Sequence, residues 1–250
     1  MHIKLKNIYL NIPIYEQHGL SLRETIKNKI SSRYQQGKGN SLVVNVLKDI
    51  NIDINEGDKL ALIGRNCAGK TSLLRVIAGI YQPSAGEVIT KGKVTTVLST
   101  GFGIDEDSTG YENIFKSGIY LGFNKKQMKE KADEIIAFSE LEECIHLPLR
   151  TYSEGMKARL SFAISTSYAP SILVADEGVG EGDAVFYEKA QKRINSFMSN
   201  SGILVLASHS EGLLKQFCNK GLLLDKGTTI AYGDLDMVLE KYNELNKNAF

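Results

Sequence analysis

Residues 64–71 read GRNCAGKT. A glycine, four residues and then Gly-Lys-Thr is the spacing of a phosphate-binding loop. Gly64, Arg65, Asn66, Cys67, Ala68 and Gly69 would turn backbone N–H groups inward. With the start of a following helix, those groups wrap a β-phosphate. Lys70 would reach the β- and γ-phosphates, the Thr71 hydroxyl would ligate Mg²⁺, and Ser72 stands beside it in the first helical turn. The bland reading is a glycine turn before an ordinary helix. The apolar stretch KLALI before the loop and the helical spacing of KTSLLRVIAGI after it argue against that.

Three further stretches complete the chemistry. ILVADE at 172–177 is an apolar strand that delivers Asp176, a second Mg²⁺ ligand. Glu177 follows, placed to orient or deprotonate an attacking water. Two acids after a strand are commonplace, and it is the pairing with the loop that gives them a role. TYSEGMKARLSFA begins at residue 151, with Ser153 as helix cap and Gly155 in the first turn. A helix N-terminus carrying a hydroxyl and a small residue is an anion site. LASHS at 206–210 puts His209 at the carboxyl end of a short strand, where ligands bind in open α/β sheets. There it would contact a γ-phosphate. His2, His18 and His146 lack such a setting and read as surface or packing residues.

These residues need a scaffold, and the chain spells out an alternating one. A strand is expected over HIKLKNIYLNIPIY, ending near Pro13, and a helix over SLRETIKNKISSRYQ. Two strands are expected over LVVNVLKDI and NIDIN, with a turn at 56–58. Met128, Ala132, Ile135, Ile136 and Ser139 fall on one face of a helix within 125–145. Strands recur at 171–175, 203–207 and 221–225, and helical patterns at 155–167, 183–199 and 210–217. Alternation of this kind predicts an α/β core with a largely parallel sheet.

Composition narrows the rest. The chain has 250 residues, 42% apolar and 24% charged, with a formal net charge of +1. No global field draws it to nucleic acid. Cys67, Cys144 and Cys218 are far apart, with no CxxC pair for zinc, and suit a reducing compartment. Cys144 and Cys218 fall in apolar helical patterns. No apolar run approaches the roughly 20 residues of a membrane helix.

Taken in order, the loop at 64–71, YSEG at 152–155, ILVADE and His209 resemble the ATP-binding cassette family, over about residues 5 to 240. The resemblance implies a P-loop NTPase fold: one nucleotide-binding domain over 1–250, with an antiparallel β subdomain and a helical subdomain at about 115–165. It implies ATP and Mg²⁺ as ligands and a head-to-tail homodimer. In that dimer the loop of one subunit faces Ser153 and Gly155 of the other, and Asp183 in GEGDAVF lies on the segment crossing the interface. STGYEN at 108–113, TYSEGMKARLSFA in place of the commoner LSGGQ form, and DEGVGEGDAVFYEKAQKR at 176–193 are similar to the ATPase subunits of bacterial polysaccharide exporters. Those serve O-antigen, capsule and teichoic acid. The implied partners are a transmembrane permease, docked on the middle helical region, and a lipid-linked glycan as cargo. The implied place is the cytoplasmic face of the bacterial inner membrane. No C-terminal carbohydrate-binding domain is expected. A soluble cassette protein acting on nucleic acid or ribosomes is the competing class. Such proteins usually carry paired cassettes, long coiled-coil insertions or a basic surface. A cassette module without turnover is a third class, opposed by Glu177 and His209.

Three departures from the family pattern stand out. Position 67 is usually glycine, and a cysteine there with φ positive is strained by about 1–2 kcal/mol. The usual glutamine between the loop and YSEG is absent, leaving Ser99 or Thr100 in its region. The adenine-stacking residue falls at Ile12 by strict alignment, or at Tyr15, whose ring face suits a purine and which is the assignment made. Residues 16–41 form a basic insertion, with Arg23, Lys27, Lys29, Arg33 and Lys38 against Glu16 and Glu24. A basic segment of this kind suits a membrane surface or permease.

Overall fold

The computed structural model describes residues 1–14, 34–36, 42–96, 104–176 and 184–247. In chain order the elements begin with β1 (His2–Ile14), β2 (Tyr34–Gln36), β3 (Leu42–Asn55), β4 (Lys59–Ile63), α1 (Lys70–Ile77), β5 (Ala85–Lys91) and β6 (Val94–Thr96). Then come α2 (Gly110–Tyr120), α3 (Lys125–Ser139), a 3-10 turn (Leu149–Thr151), α4 (Glu154–Ser165), β7 (Ile172–Ala175) and α5 (Ala184–Ser199). The chain closes with β8 (Ile203–Ala207), α6 (Glu211–Phe217), β9 (Lys220–Asp225), β10 (Thr228–Asp234) and α7 (Leu235–Lys247). Two compact units divide it: Met1–Gly92 with Ile203–Phe250, and Lys93–Gly202.

The first unit contains an antiparallel sheet in the order β2-β3-β1-β5. Alternation buries Ile3 and Leu5, then slips by one residue to bury Ile8 and Leu10. β3 slips in step, from Leu47 to Ile50, Ile52 and Ile54. The slips fall at Asn7 and Asp49, both left-handed at φ 49 and 51. Asn7 Nδ2 donates to Asp49 Oδ1 at 2.9 Å, and Asn7 N donates to Asn51 Oδ1 at 2.8 Å. This irregularity explains why LVVNVLKDI and NIDIN read as two strands although they form one. A second correction falls at Tyr34–Gln36, which is strand rather than the end of a helix. The rest of that expected helix, 21–33, lies outside the described residues.

The same unit holds β4 between β8 and β9, parallel to both, with β10 antiparallel on β9. Flanked on both sides, the four residues Leu60–Ile63 are all buried, which is why they read as a continuous apolar run. α1 buries Leu73, Leu74, Val76 and Ile77. It stops at Gly79, φ 72, where Ile80 N donates back to Arg75 O at 2.9 Å.

In the second unit β6 and β7 pair in parallel. α2, α3 and α4 enclose a core that includes Ile114, Met128, Ala132, Ile135, Leu160 and Ile164. Capping boxes start two of these helices, Thr109 with Glu112 and Asn124 with Gln127. α3 ends at Ser139 because Glu140 turns left-handed at φ 56. Cys144 therefore sits in a turn, and Cys218 caps the end of α6, rather than either lying within a helix. The fold class read from sequence holds: parallel strands, an antiparallel sheet and a helical unit are all present.

Candidate functional site

The phosphate-loop pattern forms a real loop between β4 and α1. Gly64 leaves the buried strand, Ala68 N donates to Arg65 O at 3.1 Å, and Gly69 caps α1 with no side chain bonded to the helix start. The first-turn N–H groups are thus not held by a capping side chain. Lys70 folds back across the loop, and its Nζ donates to Gly64 O at 2.6 Å and Arg65 O at 3.3 Å. Thr71 is exposed on the first turn and Ser72 half-buried beside it. Cys67 is exposed and left-handed, φ 61. The strain anticipated for a cysteine here is therefore present.

Support for the loop comes from residues that the sequence reading passed over. Lys226 and Gly227, φ 46 and 80, form the two-residue turn of the β9–β10 hairpin. Gly227 N donates to Ala68 O at 2.9 Å, and Gly227 O accepts from Lys48 N at 2.7 Å. A Cβ on Gly227 would lie 2.2 Å from Val46 O, so no side chain fits. A Cβ on Gly64 would lie 2.3 Å from Leu224 O. From the other side, Arg65 Nε donates to Asn246 Oδ1 at 3.0 Å, tying the loop to α7. The signal for the turn was available as Lys-Gly between two apolar runs. The Asn246 tie has no local signature.

His209 is exposed two residues beyond β8, and Ser210 behind it caps α6 by accepting from Leu213 N at 3.3 Å. Ala207 at the end of β8 is in register with Leu62, one residue before the end of β4. The loop and His209 therefore leave the carboxyl ends of adjacent parallel strands, the edge at which such sheets bind ligands.

In the second unit Asp176 is half-buried directly after the fully buried β7. Asp176 here, like Thr71 in the first unit, carries a hard oxygen donor of the kind small divalent cations take. Ser153 caps α4 and accepts from Met156 N at 3.2 Å, with Gly155 exposed in the first turn. A loop of consecutive acids borders this turn. Asp105 pairs with Lys116 at 2.6 Å, Glu106 with Lys157 at 2.7 Å, and Asp107 with Arg150 at 2.9 Å. The Lys116 ammonium, followed by the Ser108 hydroxyl, holds the Asp105 carboxyl down at about 2. Glu106 raises the Lys157 ammonium. Burial pushes the Cys218 thiol up to about 12. Tyr15, Ser99, Thr100, Glu177 and Asp183 lie outside the described residues, as does most of the basic insertion.

The family model described as ABC transporter matches residues 47–180. The chain is 44% identical over 223 residues to the O-antigen export system ATP-binding protein RfbE of Yersinia enterocolitica, covering 89% of this chain and 93% of that protein. It is 33% identical to the teichoic acids export ATP-binding protein TagH of Staphylococcus haemolyticus, covering 98% and 89%. A solved dimeric ATP-binding cassette in a post-hydrolysis state, bound to ADP and Pi, superposes with a TM-score of 0.63 at 20% identity, covering 93% and 98%. No helix among the described residues is long and apolar enough to cross a membrane.

Proposed function

From the premise that this chain belongs to the ABC transporter ATP-binding family, we propose that it is the ATP-hydrolysing subunit of an exporter that moves a lipid-linked polysaccharide of the O-antigen type. The observation that carries ATP turnover is the loop with Lys70 folded across it, side by side with His209 at the ends of β4 and β8. The cargo class rests on the likeness to RfbE and TagH.

In this reading the loop N–H groups and Lys70 hold the β- and γ-phosphates of ATP. Thr71 and Asp176 are the donors for Mg²⁺, which when bound neutralises charge on the phosphate oxygens. Glu177 takes the proton of a water whose oxygen attacks the γ-phosphorus, and the bond to the β–γ bridging oxygen breaks to release ADP and phosphate. His209 donates to the γ-phosphate oxygens as their charge changes. Tyr15 stacks on adenine. Two copies associate head to tail, Ser153 and Gly155 of one closing over the ATP of the other, with Asp183 at the interface. The chain acts as one nucleotide-binding module whose middle helical region, about 115–150, meets a transmembrane permease at the cytoplasmic face of the inner membrane.

The test is reconstitution with a candidate permease. ATPase activity should rise on adding a lipid-linked glycan and vanish in Glu177→Gln, which should still bind ATP and dimerise. A Glu177→Gln protein that hydrolyses ATP at the parental rate overturns the catalytic assignment. Activity driven by ribosomes or nucleic acid instead of glycan overturns the export reading.

A further inference from the structure

The sequence 105–107, Asp-Glu-Asp, places three acids in a row, and each is bonded to a different element. Lys116 is on α2, Arg150 is in the 3-10 turn, and Lys157 is in the first turns of α4. Arg150 and Lys157 bracket Ser153 and Gly155 in the chain. The backbone follows the same line: Arg150 N donates to Glu106 O and Leu149 N to Ser108 O, both at 2.9 Å, and Thr109 bridges Pro148. Beneath the loop, fully buried Asn113 donates to Asp105 O and Thr109 O, both at 2.9 Å, and accepts from Asp105 N at 2.8 Å. The loop is therefore fixed from below and grips both sides of the turn that carries Ser153.

We propose that Glu106 and Asp107 are positioning residues, a two-point clamp that sets the orientation of the α4 N-terminus toward ATP. This rests on the reading of Ser153 and Gly155 as an ATP contact. The Glu106 and Asp107 side chains are 62% and 85% exposed, and ion pairs that open to water add little to global stability. Their effect is local: they hold Lys157 and Arg150 in one arrangement on either side of the cap. Glu106 also competes for the Lys157 ammonium with Glu154, 3.2 Å away on the same helix turn. Removing Glu106 leaves Lys157 to Glu154 and frees the helix start to shift relative to the loop. Small misplacements of a binding group are costly in turnover.

The experiment uses the full chain. Glu106→Lys should lower ATPase kcat about tenfold with KM for ATP unchanged, because the phosphate loop is untouched. The charge swap Glu106→Lys with Lys157→Glu should restore kcat to within about twofold of the parent. In a Glu177→Gln background, ATP-dependent dimerisation by size exclusion should weaken in Glu106→Lys and return in the swap. An unchanged kcat in Glu106→Lys, or a swap that fails to restore both readouts, overturns the clamp. Ser153→Arg separates the premise: it should abolish ATP-dependent dimerisation, and if it does not, the ATP contact itself is misassigned whatever the clamp variants do.

Discussion

The phosphate loop and the first turn of α4 each contain a glycine, Gly64 and Gly155, but the space around the two differs. At Gly64 a Cβ would press on Leu224 O at 2.3 Å, and the neighbouring Gly227 turn leaves 2.2 Å to Val46 O. At Gly155 the nearest atom to a Cβ is Ser153 Oγ at 3.9 Å. One region is set by backbone packed on backbone, with no atom to spare. The other stands open at Gly155 and is held by two backbone hydrogen bonds and by ion pairs whose carboxylates, Glu106 and Asp107, are exposed. The first should answer to steric change and the second to charge.

The largest effect is expected at Gly227→Ala. The new Cβ must displace Val46 or the hairpin tip, at a cost of about 3 kcal/mol in urea unfolding, and the KM for ATP should rise with it. A variant as stable as the parent would break the contrast. Cys67→Gly runs the other way, relieving the left-handed strain by about 1 kcal/mol. It should bind ATP at least as tightly as the parent. The exposed Cys67 should also be the first thiol labelled by maleimide near neutral pH, with ATP protecting it. Cys218, whose thiol is pushed up to about 12 by burial, should lag behind it. Mass spectrometry of the labelled peptides decides this.

Gly155→Ala should change stability by no more than about 1 kcal/mol, in the stabilising direction, since alanine favours a helix and space is free. Any fall in ATP turnover would then report on contact with the nucleotide rather than on the fold. The smallest effect belongs to Asp105. Its carboxyl is depressed in the folded chain, so its pairing with Lys116 contributes fully above the unfolded carboxylate range. That contribution is lost as pH falls through about 2. A carboxyl NMR titration should place Asp105 there, and a midpoint near 4 would dismiss the pairing.

The buried parallel strands β4, β7, β8 and β9, α1 and the loop are legible because each carries a local pattern: continuous apolar runs, a glycine spacing, a 3.6-residue period. β5, β6 and β10 escaped notice, being short or half-exposed with no clear alternation. The apparent break in β3 arose because paired left-handed residues shift its alternation by one without ending it. Within the site, Lys70, Asp176, Ser153 and His209 were named from motifs. Gly227, Asn246 and the clamp at 105–107 were not, since what they do depends on partners up to 181 residues away along the chain.

The bond from Gly227 N to Ala68 O also gives the loop a native reporter. That amide can trade its hydrogen with solvent when the hairpin tip and the loop part, so its deuterium uptake counts those separations. A nucleotide that stiffens the loop would slow uptake at this one amide, while amides deep in β9 keep their own pace. The opening equilibrium of the phosphate loop can thus be read without a dye or a turnover event.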